Sequence, residues 1–364
     1  MARVTVKTLA AAVGVSPSTI SNAYNRPDQL SAHLRRRILA KADEIGYAGP
    51  DAAGRTLRVG RADAVGVLLT ERLSYAFSDP YAIEFLAGLS EVAEERGISI
   101  VLMPLANDGS ADRLDDLRSV RQASVDALAL LSLPADHPAA HLARARGIRL
   151  VTTDPSDDPK SSWVAIDDQC AGRRIGSHLA ELGHQDVVVV VETNRPAGGP
   201  AAWHRIGEVA AHEYTARLRG QQETIPGTLT LISGGHNSYA SGASAATHLV
   251  ESGPLPSAII GLSDVIALGV LSVLRERGVS VPGDVSVTGF DDIPAARAAQ
   301  LTTVQQPIRR RGQMVGRLLV DPNNQPRQLM LPTSLVARAT TGPSEGRRWK
   351  LPAGQESASG QGDS

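Results

Sequence analysis

The chain has 364 residues, and at about 100 to 200 residues per domain this length excludes a single small module and allows two or three domains. Its 37 Lys+Arg nearly balance 38 Asp+Glu and 42% of its residues are hydrophobic, which excludes global disorder. The one cysteine, Cys170, excludes an intrachain disulfide framework and a cysteine-only metal cage, in keeping with a reducing compartment.

The opening MARVTVKTLAAAVGV lacks the apolar core and small-residue cleavage site of a secretory signal, and no stretch approaches the ~18 apolar residues of a membrane span. A soluble cytoplasmic protein without a membrane partner is expected. Charge is distributed unevenly. Met1 to Arg61 carries ten basic against four acidic side chains, net +6, and leaves the remainder at −7. Such asymmetry suits a polyanion-binding end on an acidic body, although a solvated basic surface has the same composition.

Helix signals follow one another closely in this basic segment. Thr5 can cap a helix running through Ala12, and Gly14 provides a turn. Ser16 and Pro17 then form an N-cap and first-position pair for SPSTISNAYN. Ser31 caps a third helix in which Leu34, Ile38, Ala42 and Ile45 share one face, and Gly46 closes it. Leu9, Val13, Val15 and Ile20 are the expected core. Two short helices around a glycine turn, braced by a third, make a helix-turn-helix. In that motif the second helix enters the DNA major groove, which places Pro17, Ser18 and Asn22 against base edges and Ser16, Thr19 and Ser21 near phosphates. An exposed amphipathic helix of no such function has a similar composition.

The runs TVKTLAAAVGVSPSTISNAYN, LSAHLRRRILAKADEIGY and PDAAGRTLR, in that order, resemble the headpiece, third helix and hinge of the lactose-repressor (LacI/GalR) family of bacterial transcription regulators. The resemblance implies a cytoplasmic, nucleoid-associated homodimer that binds double-stranded operator DNA. It also implies DNA contacts by Thr5, Asn25, Arg55 and Leu57 in addition to the helix-turn-helix residues. In the family the hinge folds as a short helix on the operator and a leucine wedges into the minor groove, the position that Leu57 matches. Leu57 also fits an ordinary linker. Two positions depart from many family members: Asn22 stands where Arg is frequent, and Gly54 where Ala is.

From Ala64 onward apolar runs alternate with amphipathic stretches. AVGVLL, ISIVLM, VDALALL and IRLVTT form one set, and VVVVV, LTLIS, AIIGLS and VSVTGF form another. This alternation predicts parallel sheets covered by helices, hence two Rossmann-like subdomains. LSDVIALGVL, VPGDVSVTGFDD, LTTVQQP and LPTSLVARAT extend the family resemblance to about Val4 to Thr341. By resemblance this α/β domain is similar to a periplasmic sugar-binding protein whose chain crosses three times between its halves. The expected domains are a headpiece over 1–49, a hinge over 50–61, an effector-binding and dimerisation domain over 62–341, and a disordered tail over 342–364. Within the third, one subdomain is expected over 62–184 plus 292–313 and the other over 185–291 plus 314–341.

Ligands of open α/β sheets lie beyond the carboxyl ends of the strands, here the cleft between the halves. Phe77 and Asp79 follow the first strand there, Asp154 follows the fourth, and Ser263, Asp264 and Asp291 follow strands of the second set, with Arg217 in RLRG. The resemblance matches Arg217 and Asp291 to the effector-contacting arginine and aspartate, and it implies a sugar-like small molecule. Carboxylates and forked guanidinium donors suit sugar hydroxyls. Ser263 or Asp264 can instead cap a helix, as can Asp79, and Tyr75 can be core. After Gly220 only about one helical turn precedes Pro226, shorter than in most relatives, so an altered pocket wall near Arg217 is expected.

Enzyme signatures are absent. The nine histidines form no HExxH, and His137 and His141 read as surface or turn residues. SGGHNSYASG lacks the P-loop lysine, no GxGxxG follows the first strand, and GLSDV lacks the second glycine of a nucleophile elbow. No cofactor and no metal is expected. A plain solute-binding module would leave the helix-turn-helix without purpose, so the sequence favours a ligand-controlled DNA-binding regulator, a repressor acting on a pseudo-palindromic operator.

Overall fold

The computed structural model describes residues 4–49, 60–70, 73–105, 117–133, 135–192, 212–321, 323–324 and 327–344. Two compact units share the chain, Met1–Ala62 and Asp63–Ser364.

The first unit is helical. Thr5 accepts the Thr8 N–H at 3.3 Å and starts α1 (Val6–Val13), which Gly14 stops with φ of 73°. Ser16 accepts the Thr19 N–H at 3.1 Å to start α2 (Pro17–Asn25), with proline at the first position. Ser31 does the same for α3 (Ala32–Ile45) through Leu34, and Gly46 ends it in the left-handed region that glycine enters without steric cost. Leu9, Ala10, Ile20, Ala23, Ile38 and Ala42 form the core, with Tyr47 closing it edge-on against Tyr24. Val13 and Val15, expected inside, are half-buried at its margin. Two arginines of the LRRRIL run tie the helices together: Arg35 Nε donates to Ala23 O at 3.2 Å, and Arg37 Nη2 donates to Val13 O at 3.0 Å. Both carbonyls lie in the last turn of a helix, where cations are favoured. The hinge expected over 50–61, with Arg55 and Leu57, falls almost wholly outside the described residues.

The second unit has two lobes, each built on a parallel sheet. In the first lobe β1 (Ala64–Leu69), β2 (Ser99–Pro104), β3 (Ala127–Leu130), β4 (Arg149–Thr152), β5 (Trp163–Ile166) and β11 (Gln328–Leu331) assemble in the order β11-β5-β4-β3-β1-β2. Every residue of β1 is buried, as a strand covered by helices on both faces must be. Between these strands lie α4 (Leu73–Ala76), α5 (Pro80–Arg96), α6 (Arg118–Gln122) and α7 (Pro138–Ala145). In the second lobe β6 (Asp186–Glu192), β7 (Thr228–Gly235), β8 (Ala258–Gly261) and β9 (Ser286–Thr288) take the order β7-β6-β8-β9. Its helices are α8 (Asp168–Glu181), α9 (His212–Thr224), α10 (Tyr239–Ser252), α11 (Asp264–Glu276) and α12 (Pro294–Ala298). β10 (Thr303–Gln305) continues this lobe through bridges from Thr288 to Thr302 and from Asp291 to Gln305, and β12 (Ser334–Val336) pairs antiparallel to it.

The chain passes between the lobes near residues 167, 306 and 332, not at the expected 184, 291 and 313. Residues 167–184 belong with the second lobe because α8 packs on α9. Residues 314–332 belong with the first, because α13 (Ile308–Val320) packs on α5 and the sheet and β11 pairs with β5. Glycines set these helix pairs: a Cβ on Gly172 would lie 2.1 Å from the Arg217 carbonyl oxygen, and one on Gly220 would lie 2.0 Å from that of Gln169. The expected disordered tail also starts too early. Gly342 O accepts from His184 Nε2, and the Ser344 N–H donates to Leu182 O, so order persists to the last described residue.

The α8–α9 contact admits no side chain at these glycines, and overpacking of this kind costs about 1 to 3 kcal/mol or more. Gly172→Ala should lower the denaturation midpoint accordingly in urea titrations of the full chain. A midpoint equal to that of the wild type would show that the helices do not approach this closely.

Candidate functional site on the headpiece and in the cleft

On the headpiece, Ile20 and Ala23 of α2 point into the core, which leaves Ser16, Pro17 and Ser18 exposed and Thr19, Ser21 and Asn22 half-exposed. The Ser16 hydroxyl lies 2.7 Å from that of Ser18 and 2.8 Å from that of Thr19. A cluster of hydroxyls therefore sits at the positive dipole end of α2, which favours an anion. Thr5 sits at the start of α1, exposed and bonded to the Thr8 hydroxyl at 3.0 Å. Asn25 ends α2, and its side chain lies outside the description.

In the second unit, Arg217 on α9 is buried. Its Nε donates to Asp168 Oδ1 at 2.7 Å, its Nη1 donates to Leu262 O at 2.9 Å, and its guanidinium carbon lies 3.6 Å from the Phe290 ring centroid. Asp291 follows β9 with φ of 122°, a strained conformation for a residue with a side chain. Its N–H donates to Val304 O at 2.9 Å, and its Oδ1 accepts from Gln306 Nε2 at 2.6 Å. Burial holds the Asp291 carboxyl well above the usual carboxylate range; the Arg217 charge opposes this, while Asp264 and Asp79 reinforce it. Three other expected residues, Arg217, Asp264 and Asp79, thus act on the charge of Asp291. Burial likewise raises Asp79, whose Oδ1 accepts the Tyr81 N–H at 3.1 Å as the N-cap of α5. Asp154 is buried beyond the end of β4, and the Thr152 hydroxyl donates to its carbonyl at 2.7 Å.

Other expected contacts have different roles. Asp264 has no exposed surface: its Oδ1 accepts from the Thr303 hydroxyl at 2.6 Å and its Oδ2 from the Ile293 N–H at 2.9 Å. It ties α11 to β10 within the second lobe, the structural role that these bonds give it. Ser263 caps α11 through the Ile266 N–H and donates to Asn237 Oδ1 at 2.5 Å. Phe77, 62% exposed, stands outside the buried cluster. Tyr75, weighed as core, is half-buried and donates its hydroxyl to the Asn237 carbonyl across the cleft. His137 caps α7 through Nδ1, as a turn residue does. Among the described residues no group of three or more His, Cys, Asp and Glu could hold a metal ion.

Sequence reasoning missed Asp168, Gln306 and Arg311. Asp168 is the first residue of α8, after the N-cap Asp167 that follows β5, a position that reads as dipole complementarity rather than as an ion-pair partner 49 residues from Arg217. Gln306 and Arg311 stand in LTTVQQPIRRRG, where the buried arginine is indistinguishable by pattern from its exposed neighbour Arg309.

A helix-turn-helix unit joined to a two-lobed α/β unit with polar groups at its cleft defines a ligand-responsive DNA-binding regulator. Comparison with known proteins identifies the lineage. Residues 177–341 match the periplasmic binding protein-like domain family. An HTH-type transcriptional regulator of Mycolicibacterium smegmatis is 38% identical over 357 residues, covering 94% of this chain and 97% of the relative. A LacI-family regulator from Corynebacterium glutamicum superposes with a TM-score of 0.70 at 30% identity, covering 94% of this chain and 100% of that structure. The transcriptional regulator CelR in complex with cellobiose gives a TM-score of 0.63 at 27% identity, over 93% and 100% of the two chains. The chain belongs to the LacI family of HTH-type transcriptional regulators. No described helix is long and apolar enough to cross a membrane.

Burial pushes the Asp264 carboxyl up to about 6, whereas an unfolded aspartate titrates near 3.9. Between these values the folded chain holds the extra proton, so stability should rise as the pH is lowered from about 7 toward 4. Asp291 contributes with the same sign. Thermal melts across this range should show the slope, and Asp264→Asn should flatten it. An unchanged slope in that variant would remove Asp264 as its source.

Proposed function

We propose that the protein is a repressor that binds a pseudo-palindromic operator as a homodimer and is controlled by a sugar-like, polyhydroxylated effector held between the lobes. The observation that carries this reading is the division of labour along the chain: α2 presents an exposed hydroxyl and amide face on one unit, and buried carboxylates and a guanidinium converge on the cleft of the other.

In this reading α2 lies in the major groove. Asn22 reads a base, Pro17 and Ser18 pack on base edges, and Thr5, Ser16, Thr19, Ser21 and Asn25 hold phosphates and fix the register. Arg55 anchors the hinge to the backbone, and Leu57 wedges into the minor groove at the centre of the site. One headpiece spans too few bases for a unique site, and two-fold pairing supplies the second half-site. In the cleft, Arg217 and Asp291 from one lobe and Asp79 and Asp154 from the other bond the effector's hydroxyls, with Ser263 and Phe77 at the margin. Cellobiose on the related CelR is consistent with this chemistry. The cleft binds and does not catalyse, and the protein works without a cofactor in the cytoplasm, at the nucleoid.

The test starts from DNA fragments selected for binding, on which the wild type should protect a two-fold symmetric site while sedimenting as a dimer. Asn22→Ala should cost ~1 to 3 kcal/mol on the preferred site and relax one base position per half-site. Leu57→Ala should lose affinity together with the operator bend. A monomer protecting a single half-site would contradict the dimer, and an unchanged bend in Leu57→Ala would contradict the hinge role.

A further inference from the structure

The second passage of the chain between the lobes carries a buried polar link. Gln306 is 4% exposed, Asp291 6% and Arg311 5%. Gln306 Nε2 donates to Asp291 Oδ1 at 2.6 Å, and Arg311 Nη1 donates to Gln306 Oε1 at 3.4 Å. The same Nη1 donates to the Tyr81 hydroxyl at 2.8 Å, Nε donates to Val164 O at 3.0 Å, and Nη2 donates to Thr153 O. Arg311 thus grips the start of α5, the end of β4 and β5, all in the first lobe. Asp291 belongs to the second lobe. Gln306 lies between them, at the crossing itself.

We propose that Gln306 is a positioning residue for Asp291: its amide, oriented by Arg311, fixes the Asp291 carboxyl and makes that orientation depend on the first lobe. The functional weight of this link rests on the cleft being the effector site. Chemistry makes the link directional. A guanidinium only donates, so the Gln306 amide must turn its oxygen to Arg311, and its NH2 is then the group that faces and donates to Asp291 Oδ1. The flipped amide would set donor against donor at Arg311. Glutamate, of nearly the same shape, would place a second carboxyl against Asp291. The strained backbone at Asp291, with φ of 122°, adds a cost to the conformation that this bond helps hold. The charged groups acting on Asp291 are Arg217 from α9, Asp264 from α11 and Asp79 ahead of α5. Arg311 reaches Asp291 through Gln306. Any relative motion of the lobes would therefore change the support beneath the carboxyl expected to bind the effector.

The test follows the Asp291 carboxyl on the full chain by 13C NMR of aspartate-labelled protein, with Asp291→Asn to assign its signal. A hydrogen bond to the charged form lowers a carboxyl's titration midpoint, so Gln306→Ala should raise it by about one pH unit. Gln306→Glu should raise it further through like-charge contact. Arg311→Lys keeps the charge but loses the fork, and should raise the midpoint in the wild-type background while adding nothing in the Gln306→Ala background. An unchanged midpoint in folded Gln306→Ala, or effects of the two substitutions that simply add, would overturn the proposal. If Gln306→Ala does not fold, the isosteric Gln306→Glu decides: a midpoint raised above that of the wild type supports the link, and an unchanged one refutes it. Neither DNA nor effector enters this experiment, so its failure would leave the regulator reading intact, and failed operator binding would leave the link intact.

Discussion

A guanidinium cannot be left unpaired in a protein interior, and the second lobe is arranged around one. Arg217 draws its partners from separate elements: Asp168 in the first turn of α8, the Leu262 carbonyl after β8, and the Phe290 ring after β9. Removing one partner of a buried pair typically costs about 3 to 5 kcal/mol, because the other charge stays behind without compensation. The same requirement fixes neighbouring parts. Phe290 accepts the Asp264 N–H through its carbonyl while its ring lies beneath Arg217, and Asp291 comes next in the chain. The carboxyl ends of the strands are thereby held as one polar cluster.

That cluster sits at the edge of a two-lobed body whose lobes are joined by the three crossings and bonded to one another at separate points. Tyr75 donates to Asn237 from one lobe to the other, and Arg311 reaches Asp291 through Gln306. Ligand binding in such a cleft controls a distant function only if the ligand prefers one arrangement of the lobes, and typical coupling free energies are about 1 to 3 kcal/mol. The headpiece follows a different economy. Its helices are short, and their ends are closed by Thr5, Ser16, Ser31, Gly14, Gly46 and the arginines Arg35 and Arg37. With the termini closed from within, the outward face of α2 is available for DNA.

How much of this the sequence disclosed depended on whether the relevant forces were local. Caps and glycine stops are set by neighbours three or four residues away, and all three headpiece helices were legible from Thr5, Ser16, Pro17, Ser31, Gly14 and Gly46. Buried parallel strands were legible as apolar runs. Lobe membership was not, because α8 is assigned to the second lobe by the approach of Gly172 to Arg217, a contact no periodicity encodes. Arg217 and Asp291 were named through family resemblance, and the structure places them in one electrostatic neighbourhood. Asp264 illustrates the converse. Its position beyond a strand end suggested the cleft, but its carboxyl turns inward to Thr303 and Ile293, a direction that becomes visible only once β10 is in place.

Ligand recognition between the lobes and DNA recognition by the headpiece are separate properties of separate units, linked only through the state of the lobes. The most direct measurement is an operator titration of wild type and Asp291→Ala, each with and without the sugar or nucleoside that a thermal-shift screen of the wild type identifies. Asp291→Ala should bind operator with near-normal affinity without ligand and show no change when ligand is added, while the wild type responds. A folded Asp291→Ala that shifts its operator affinity with the ligand dependence of the wild type would contradict this.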